Sequence, residues 1–495
     1  MREWLAFCIQ DRPLSREFPT IMLSRRLFQQ FLVDGYMMVE YQRLSFLRHN
    51  QKLLRAETYN NLANAFNQGN VGPSSVGSRI IIPSSYVGAD GYMRENYRDT
   101  MAICKWNGYP DLFITFTCNP KWPEITRLVS KKGVRAEDRP NICCRVFEIK
   151  LQELMTDLKD RHIFGRAIGA VYTIEFQKCG LPHAHILLFL HRDYKFPEAS
   201  DIDRVISAEI PDPNEHPELY NAVAEFIIHG PCGEGFPNSP CMIGNKCGRH
   251  FPKKPNERTT VDGEGYPIYR RRKESVLLEK NGETVDNGFV VPYNAQLLLK
   301  YRAHINVEWC NQSRSIKYLF KYINKGVDRV TMQSSHSRRN DENPEQIDEI
   351  RIFYDCRYIS TCESVWRIFS FSIHFRTPAV ERLQFHLPDQ QSVVFNDDDP
   401  IDEVLDSPTI GMSKFLDWMD CNKREAKARE LTFSQFPTKF AWKKELRKWS
   451  LRERGFSIGR ALHATRILEQ LIVLYTLLTG KRLMHWVCLV MIRNI

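Results

Sequence analysis

The sequence predicts an α+β fold: an antiparallel sheet with flanking helices, joined to a helical N-terminal region and a mixed C-terminal region. Three observations predict it. Leu112-Phe113-Ile114-Thr115-Phe116-Thr117 is a short apolar run closed by Asn119-Pro120, the pattern of a buried strand. Val171 to Gln177 is rich in β-branched and aromatic residues, and Ile186 to Leu190 is continuously apolar. Lys178-Cys179-Gly180-Leu181-Pro182 lies between them with Gly and Pro as turn punctuation, so the two runs read as a hairpin. Val146 to His162 carries a helical pattern between the first strand and the hairpin. A strand, a helix and then a hairpin fit a sheet with its helices on one face.

Taken in chain order, residues 1–78 form a helical N-terminal region, with apolar residues at helical spacing from Arg25 to Asn50. Gly69 to Ser78 is a Gly/Ser-rich joint. Residues 79–330 hold the sheet, with a Cys/His-containing insertion at about 200–290. Residues 331–349 are polar and read as a linker. Residues 350–460 are expected to mix short strands with a helical stretch over 410–455, and 461–495 form a tail. No internal repeat is present.

Composition narrows the partners. Lysine and arginine exceed aspartate and glutamate by 69 − 59 = 10 over 495 residues. The excess is clustered: Lys246, Arg249, Lys253, Lys254 and Arg258, then Arg270-Arg271-Arg272-Lys273, later Lys443-Lys444 and Arg447-Lys448. Such patches bind phosphate through counterion release. Aromatic residues make up 12% of the chain, enough to supply stacking platforms for single strands. Fourteen cysteines without a secreted-type framework, and no signal peptide, point to a reducing intracellular compartment. The apolar run Ile467 to Leu478 contains Glu469 and is shorter than the roughly 20 residues a bilayer span needs, so no membrane is expected.

The sharpest chemical signal is His183-Ala184-His185 at the head of the second hairpin strand. Residues i and i+2 of a strand project from one face, so two imidazoles stand side by side. Glu175 and Gln177 share a face of the preceding strand, and the hairpin brings one or the other beside the histidines. Two neutral nitrogens and one oxygen suit a divalent ion, Mg²⁺ or Mn²⁺, with positions left open to substrate.

A second constellation is Arg314 to Gly326. At about 100° per residue, Ile316, Leu319, Phe320 and Ile323 make an apolar stripe, while Tyr318 and Tyr322 are i,i+4 neighbours on nearly the opposite side. Lys317, Lys321 and Lys325 form a basic row beside them, suited to DNA phosphate. A metal ion and a phenol pair together imply phosphodiester chemistry, with tyrosine as nucleophile and a phosphotyrosine as intermediate.

These residues resemble a known family. Glu175-Phe176-Gln177, Gly180, Pro182-His183-Ala184-His185 and the Tyr318/Tyr322 helix look like the HUH endonuclease (Rep-type) region of Helitron transposons, also described as a helitron helicase-like domain. Phe28 to Asp34, Pro110 to Pro120 and Pro437-Thr438-Lys439-Phe440 extend the resemblance over roughly residues 3 to 460. It implies an HUH/Rep-like nuclease core. It implies His183 and His185 as metal ligands, with Glu175 first and Gln177 second as the third, and Tyr318 and Tyr322 as strand-transfer nucleophiles. The partner it implies is single-stranded DNA at transposon ends, the process is rolling-circle transposition, and the compartment is the nucleus. Cys179 departs from the basic residue expected in that turn. No Gly-x-x-x-x-Gly-Lys-Ser/Thr loop occurs; Thr479-Gly480-Lys481-Arg482 comes nearest but lacks the first glycine and the hydroxyl residue. The expectation is therefore a chain without the helicase half, its helicase supplied in trans or lost. The alternative is a transposon-derived DNA-binding remnant without catalytic activity. A zinc hydrolase built on His183 and His185 ranks last, since no His-Glu-x-x-His helix accompanies them.

The insertion adds His229, Cys232, Cys241, Cys247 and His250. Thiolate and imidazole are preferred ligands of zinc, and four of these five are candidates for a structural Zn²⁺.

Overall fold

A computed structural model describes residues 1–10, 20–51, 56–58, 63, 67, 80–176, 180–196, 198–233, 235–263, 265–274, 276–310, 348–355, 357–386, 391–394, 400–406 and 411–462. The chain divides into two compact units, each discontinuous in sequence. The first gathers Met1–Glu40, Asn107–Lys325 and Ile359–Thr377; the second gathers Tyr41–Trp106, Gly326–Tyr358 and Pro378–Ile495. The linear partition read from sequence differs from this, because strands and helices recruit partners that are distant along the chain.

The first unit is α+β. Its sheet contains β1 (Leu112–Thr117), β2 (Ala167–Phe176), β3 (Pro182–Leu190), β4 (Ile305–Trp309) and β5 (His374–Thr377). The spatial order is β4-β1-β3-β2-β5, and every pairing is antiparallel. The strand run and hairpin expected from sequence thus form the three central strands. The last edge comes from the region expected to belong to a separate C-terminal part.

Alternation gives the sheet two unlike faces. Ile114 and Phe116 of β1, Tyr172 and Ile174 of β2, Ala184, Ile186 and Leu188 of β3, and Ile305 and Val307 of β4 all enter one hydrophobic core. Register puts Thr115, Thr117, Thr173, Glu175, His183, His185, Asn306 and Glu308 on the other face. Helix α1 (Pro140–Lys159) covers the apolar face with Phe147, Leu151, Leu154 and Leu158, all fully buried. It starts at Pro140, six residues before the expected start. Proline at the first position fits there, since its missing N–H has no partner to lose. Helices α2 (Ala295–Tyr301) and α3 (Thr361–Ile368) extend the same core with Leu297, Leu298, Val365 and Trp366. Each such buried apolar side chain contributes about 1.5–3 kcal/mol relative to exposure.

In the second unit, strands Ala379–Gln384 and Ser457–Leu462 pair in parallel. Asp99, fully buried on the helix Asp90–Asn107, pairs with Arg382 and Arg460, each at 3.1 Å. The stretch 410–455 is less helical than expected. Its described residues hold one α-helix, Lys414–Arg424, two single-turn 3₁₀ helices and an antiparallel hairpin of Phe440–Lys443 with Lys448–Leu451. Its aromatics, Phe436, Phe440 and Trp449 with Phe415 and Trp418, form a local core, and that packing outweighs helical propensity. Among the described residues, no helix is long and apolar enough to cross a membrane.

Candidate metal centre

His183 and His185 occupy adjacent same-face positions of β3, the central strand. They are only 6% and 4% exposed, so burial forces each ring nitrogen to find a partner or stand as an unpaired polar atom. One nitrogen of each ring is anchored on β1. Thr117 Oγ1 lies 2.8 Å from His183 Nδ1, and Thr115 Oγ1 lies 3.2 Å from His185 Nδ1. The cause is register: Thr117 pairs with His183 and Thr115 with His185. With Nδ1–H donating to Thr117, His183 presents the Nε2 lone pair that a metal ligand needs, whereas His185 Nε2–H donates to the Glu175 carboxylate at 3.0 Å until an ion replaces that proton. Phe113, two positions along β1, stacks on His185 at 5.7 Å with an interplanar angle of 7°.

The third candidate comes from β2. Glu175 is the register partner of His183, and its Oε2 lies 3.0 Å from His185 Nε2. Glu175 is therefore beside both histidines, as the hairpin reading expected. Gln177 lies outside the described residues. So do Tyr318 and Tyr322, and Lys317, Lys321 and Lys325.

His183 Nε2 is buried with no hydrogen-bond partner among the described residues. Burial drives its pKa down to about 3, with His185 and His304 adding repulsion and Glu175 opposing. The imidazole is thus neutral at pH 7, with its lone pair available. An uncompensated buried polar atom costs about 1–3 kcal/mol, and a bound cation removes that cost. The donor set therefore fits a divalent ion: two imidazole nitrogens and a carboxylate, held by threonines on one strand and a register partner on the other.

Thr115 and Thr117 were not singled out from sequence as site residues. The signal was present in Phe113-Ile114-Thr115-Phe116-Thr117, where period-two alternation places both hydroxyls on one face.

Residues 4–188 match the family model of the Helitron helicase-like domain at the N-terminus. That stretch is Helitron-related. It ends inside β3, three residues beyond His185, so the match takes in Glu175 and both histidines. The relationship points to a transposon-associated role for the chain. No curated protein matches it.

The basic clusters behave differently from one another. Lys246, Arg249, Lys254 and Arg258 are exposed, as are Lys443, Lys444, Arg447 and Lys448. The run Arg270-Arg271-Arg272 is committed to structure. Arg271 is 4% exposed and donates to the carbonyls of Ala208, Asn287 and Val290. Arg270 and Arg272 both pair with Glu209, at 3.3 and 2.7 Å. Arg271 thus closes the insertion onto itself, because buried carbonyls need donors, while Arg272 and Lys273 keep exposed side chains.

Proposed function

We propose that this chain is a metal-dependent single-stranded DNA endonuclease and strand transferase that forms a 5′-phosphotyrosine intermediate in rolling-circle transposition. The observation that carries the reading is the buried Nε2 of His183, without a hydrogen-bond partner among the described residues, beside His185 and Glu175 within a segment that matches the Helitron domain.

His183, His185 and Glu175 hold an Mg²⁺ or Mn²⁺ ion, and Thr117 and Thr115 fix the ring orientations. The ion supplies Lewis-acid polarisation of a phosphodiester oxygen. The hydroxyl oxygen of Tyr318 or Tyr322 attacks phosphorus. The new bond is Tyr O–P, the broken bond is P–O3′, and the phenol proton ends on the departing 3′ oxygen. Lys317, Lys321 and Lys325 bind neighbouring phosphates. Reversal of the step by a free 3′-hydroxyl rejoins the strand, and the second tyrosine accommodates a second transfer. Transposon ends as substrate and a nuclear location follow from this reading.

The test is a 5′- and 3′-labelled single-stranded oligonucleotide incubated with the protein and Mg²⁺ or Mn²⁺. The expected result is a covalent protein–DNA adduct that survives denaturation and carries the 5′-phosphate side. It disappears with EDTA and in the double variant Tyr318→Phe, Tyr322→Phe. Salt-sensitive binding without any adduct would replace this reading with that of an inactive DNA-binding remnant. Metal-dependent turnover that persists without both phenols would point to a hydrolase.

A further inference from the structure

The insertion carries a second donor cluster, chemically unlike the first. His229, Cys232, Cys241 and Cys247 bring one ligand atom each to within 4.8 Å of one another. Four ligands at zinc distances on a tetrahedron sit about 3.3–3.8 Å apart, so a cluster this tight needs little adjustment. Cys247 Sγ and His229 Nε2 are already 3.4 Å apart.

Local structure explains why these four converge. Met242–Ile243 and Lys246–Cys247 pair as a hairpin with a two-residue loop, Gly244-Asn245. Gly244 has φ +60°, the left-handed value such a tight turn demands at its first loop position. The hairpin sets Cys241 and Cys247 at its two ends, and Gly248 N–H donates to the Cys241 carbonyl at 2.8 Å. On the opposite side, Gly230 has φ +96°, and a Cβ there would meet the Cys232 nitrogen at 2.9 Å. Glycine therefore permits the bend that presents His229 and Cys232 together. The Arg249 N–H points at Cys247 Sγ at 3.4 Å, the kind of backbone donor that supports a metal-bound thiolate. His229 is further fixed by stacking on Phe251, 4.1 Å between ring centres. Cys232 and Cys247 are buried, at 8% and 6% exposure. His250, the fifth candidate, is exposed and stands outside the cluster.

We infer that His229, Cys232, Cys241 and Cys247 hold one structural Zn²⁺ in a closed Cys₃His site, which clips the insertion to the sheet that carries His183 and His185. The four protein donors leave no position for water or substrate, so this ion has no catalytic part. Binding releases the thiol protons and gives the site one net negative charge, which Arg249 and Lys253 lie close enough to offset. The clip reaches the sheet by a short path. His229 N–H donates to the Phe289 carbonyl at 2.9 Å, and three residues earlier the Phe226 carbonyl bonds His304 Nδ1 at 2.7 Å. The His304 carbonyl accepts from Thr117 N–H at 3.0 Å, on the strand that anchors the histidine rings. This inference does not depend on the endonuclease reading.

The test is elemental analysis of the full-length protein, purified under reducing conditions and dialysed against EDTA-free buffer. The expected result is a tightly held zinc, about one per chain, whose loss accompanies Cys241→Ser or Cys247→Ser. His250→Ala and the pair His183→Ala, His185→Ala leave that zinc in place. Should the cysteine variants fail to fold, Co²⁺ exchanged into the wild-type chain decides the matter: thiolate-to-cobalt charge-transfer bands with intense tetrahedral ligand-field bands are expected. A folded, reduced wild-type chain without zinc, a zinc lost with the histidine pair but kept in the cysteine variants, or octahedral cobalt without thiolate bands would each overturn the inference.

Discussion

The two donor clusters of the first unit are built by opposite means. The histidine cluster lies on the central strand of a sheet, and its geometry is inherited from register: β1 offers threonines, β2 offers Glu175, and period-two alternation aims everything at one face. The cysteine cluster lies on turns, where positive-φ glycines and a two-residue hairpin fold the chain around a point. The first set has three donors, hard or borderline, and so leaves coordination positions open. The second has four, mostly soft, and leaves none. A rigid sheet fits an exchangeable ion whose ligands must be preformed. A loop-rich insertion would gain a staple from the inferred ion.

This contrast is easiest to break at the histidines. His183→Ala removes a ligand from the open site and is expected to lower adduct formation by about 10³-fold or more, a typical scale for losing essential charge stabilisation. Zinc content should not change. A single-turnover cleavage assay beside elemental analysis checks it; equal loss of zinc and activity would mean the two sites are not separate.

Cys247→Ser should do the reverse. It removes one donor of the closed site, so the insertion loses its staple and the melting temperature falls. Loss of stability on the order of several kcal/mol is expected, since binding energy at a structural zinc is folding energy. Denaturant unfolding with and without added Zn²⁺ measures it, and a wild-type midpoint indifferent to a zinc chelator would contradict it.

Thr117→Val sharpens the comparison without touching a ligand. Valine keeps the shape and removes the oxygen 2.8 Å from His183 Nδ1. Loss of such a supporting partner typically costs 10–100-fold in metal affinity. Titration with Mn²⁺, followed by calorimetry or electron paramagnetic resonance, should show weakening in that range with fold and zinc intact. Unchanged affinity would remove Thr117 from the site.

The smallest effect is a pH dependence of the protein without a divalent ion at the histidine site. His183 has a folded-state pKa near 3 because burial disfavours its cation, against about 6.5 unfolded. The unfolded chain therefore binds the extra proton between those values. Stability is complete above pH 6.5 and is lost as pH falls through that window toward 3. At pH 5 the loss from this residue is about 2 kcal/mol. The difference in acid sensitivity between wild type and His183→Asn, measured by urea unfolding at pH 5 and pH 7, isolates it. Saturating Mn²⁺ at pH 7 should raise the wild-type midpoint and leave the variant unchanged.

Sequence legibility followed the range of the interaction. His183 and His185 were readable because strand period is local, and so were the β1 run and the hairpin. The long helix Arg26–His49 matched its apolar spacing within a residue at each end. The β5 edge was not readable, because His374–Thr377 joins β2 from two hundred residues away. The role of Arg271 was hidden for the same reason: a basic run on paper looks alike whether water or three buried carbonyls surround it.

Sequence alone thus determined which residues could be donors and which face of a strand they share, because covalent geometry and alternation require no distant partner. Tertiary structure decided the rest. It set Glu175 against His183 by strand register, placed Thr115 and Thr117 behind the rings, chose His229 over His250, and stripped water from His183. Register, burial and loop closure are properties of packed segments far apart in the chain, and packing is where the free energy that selects among equally plausible local patterns resides.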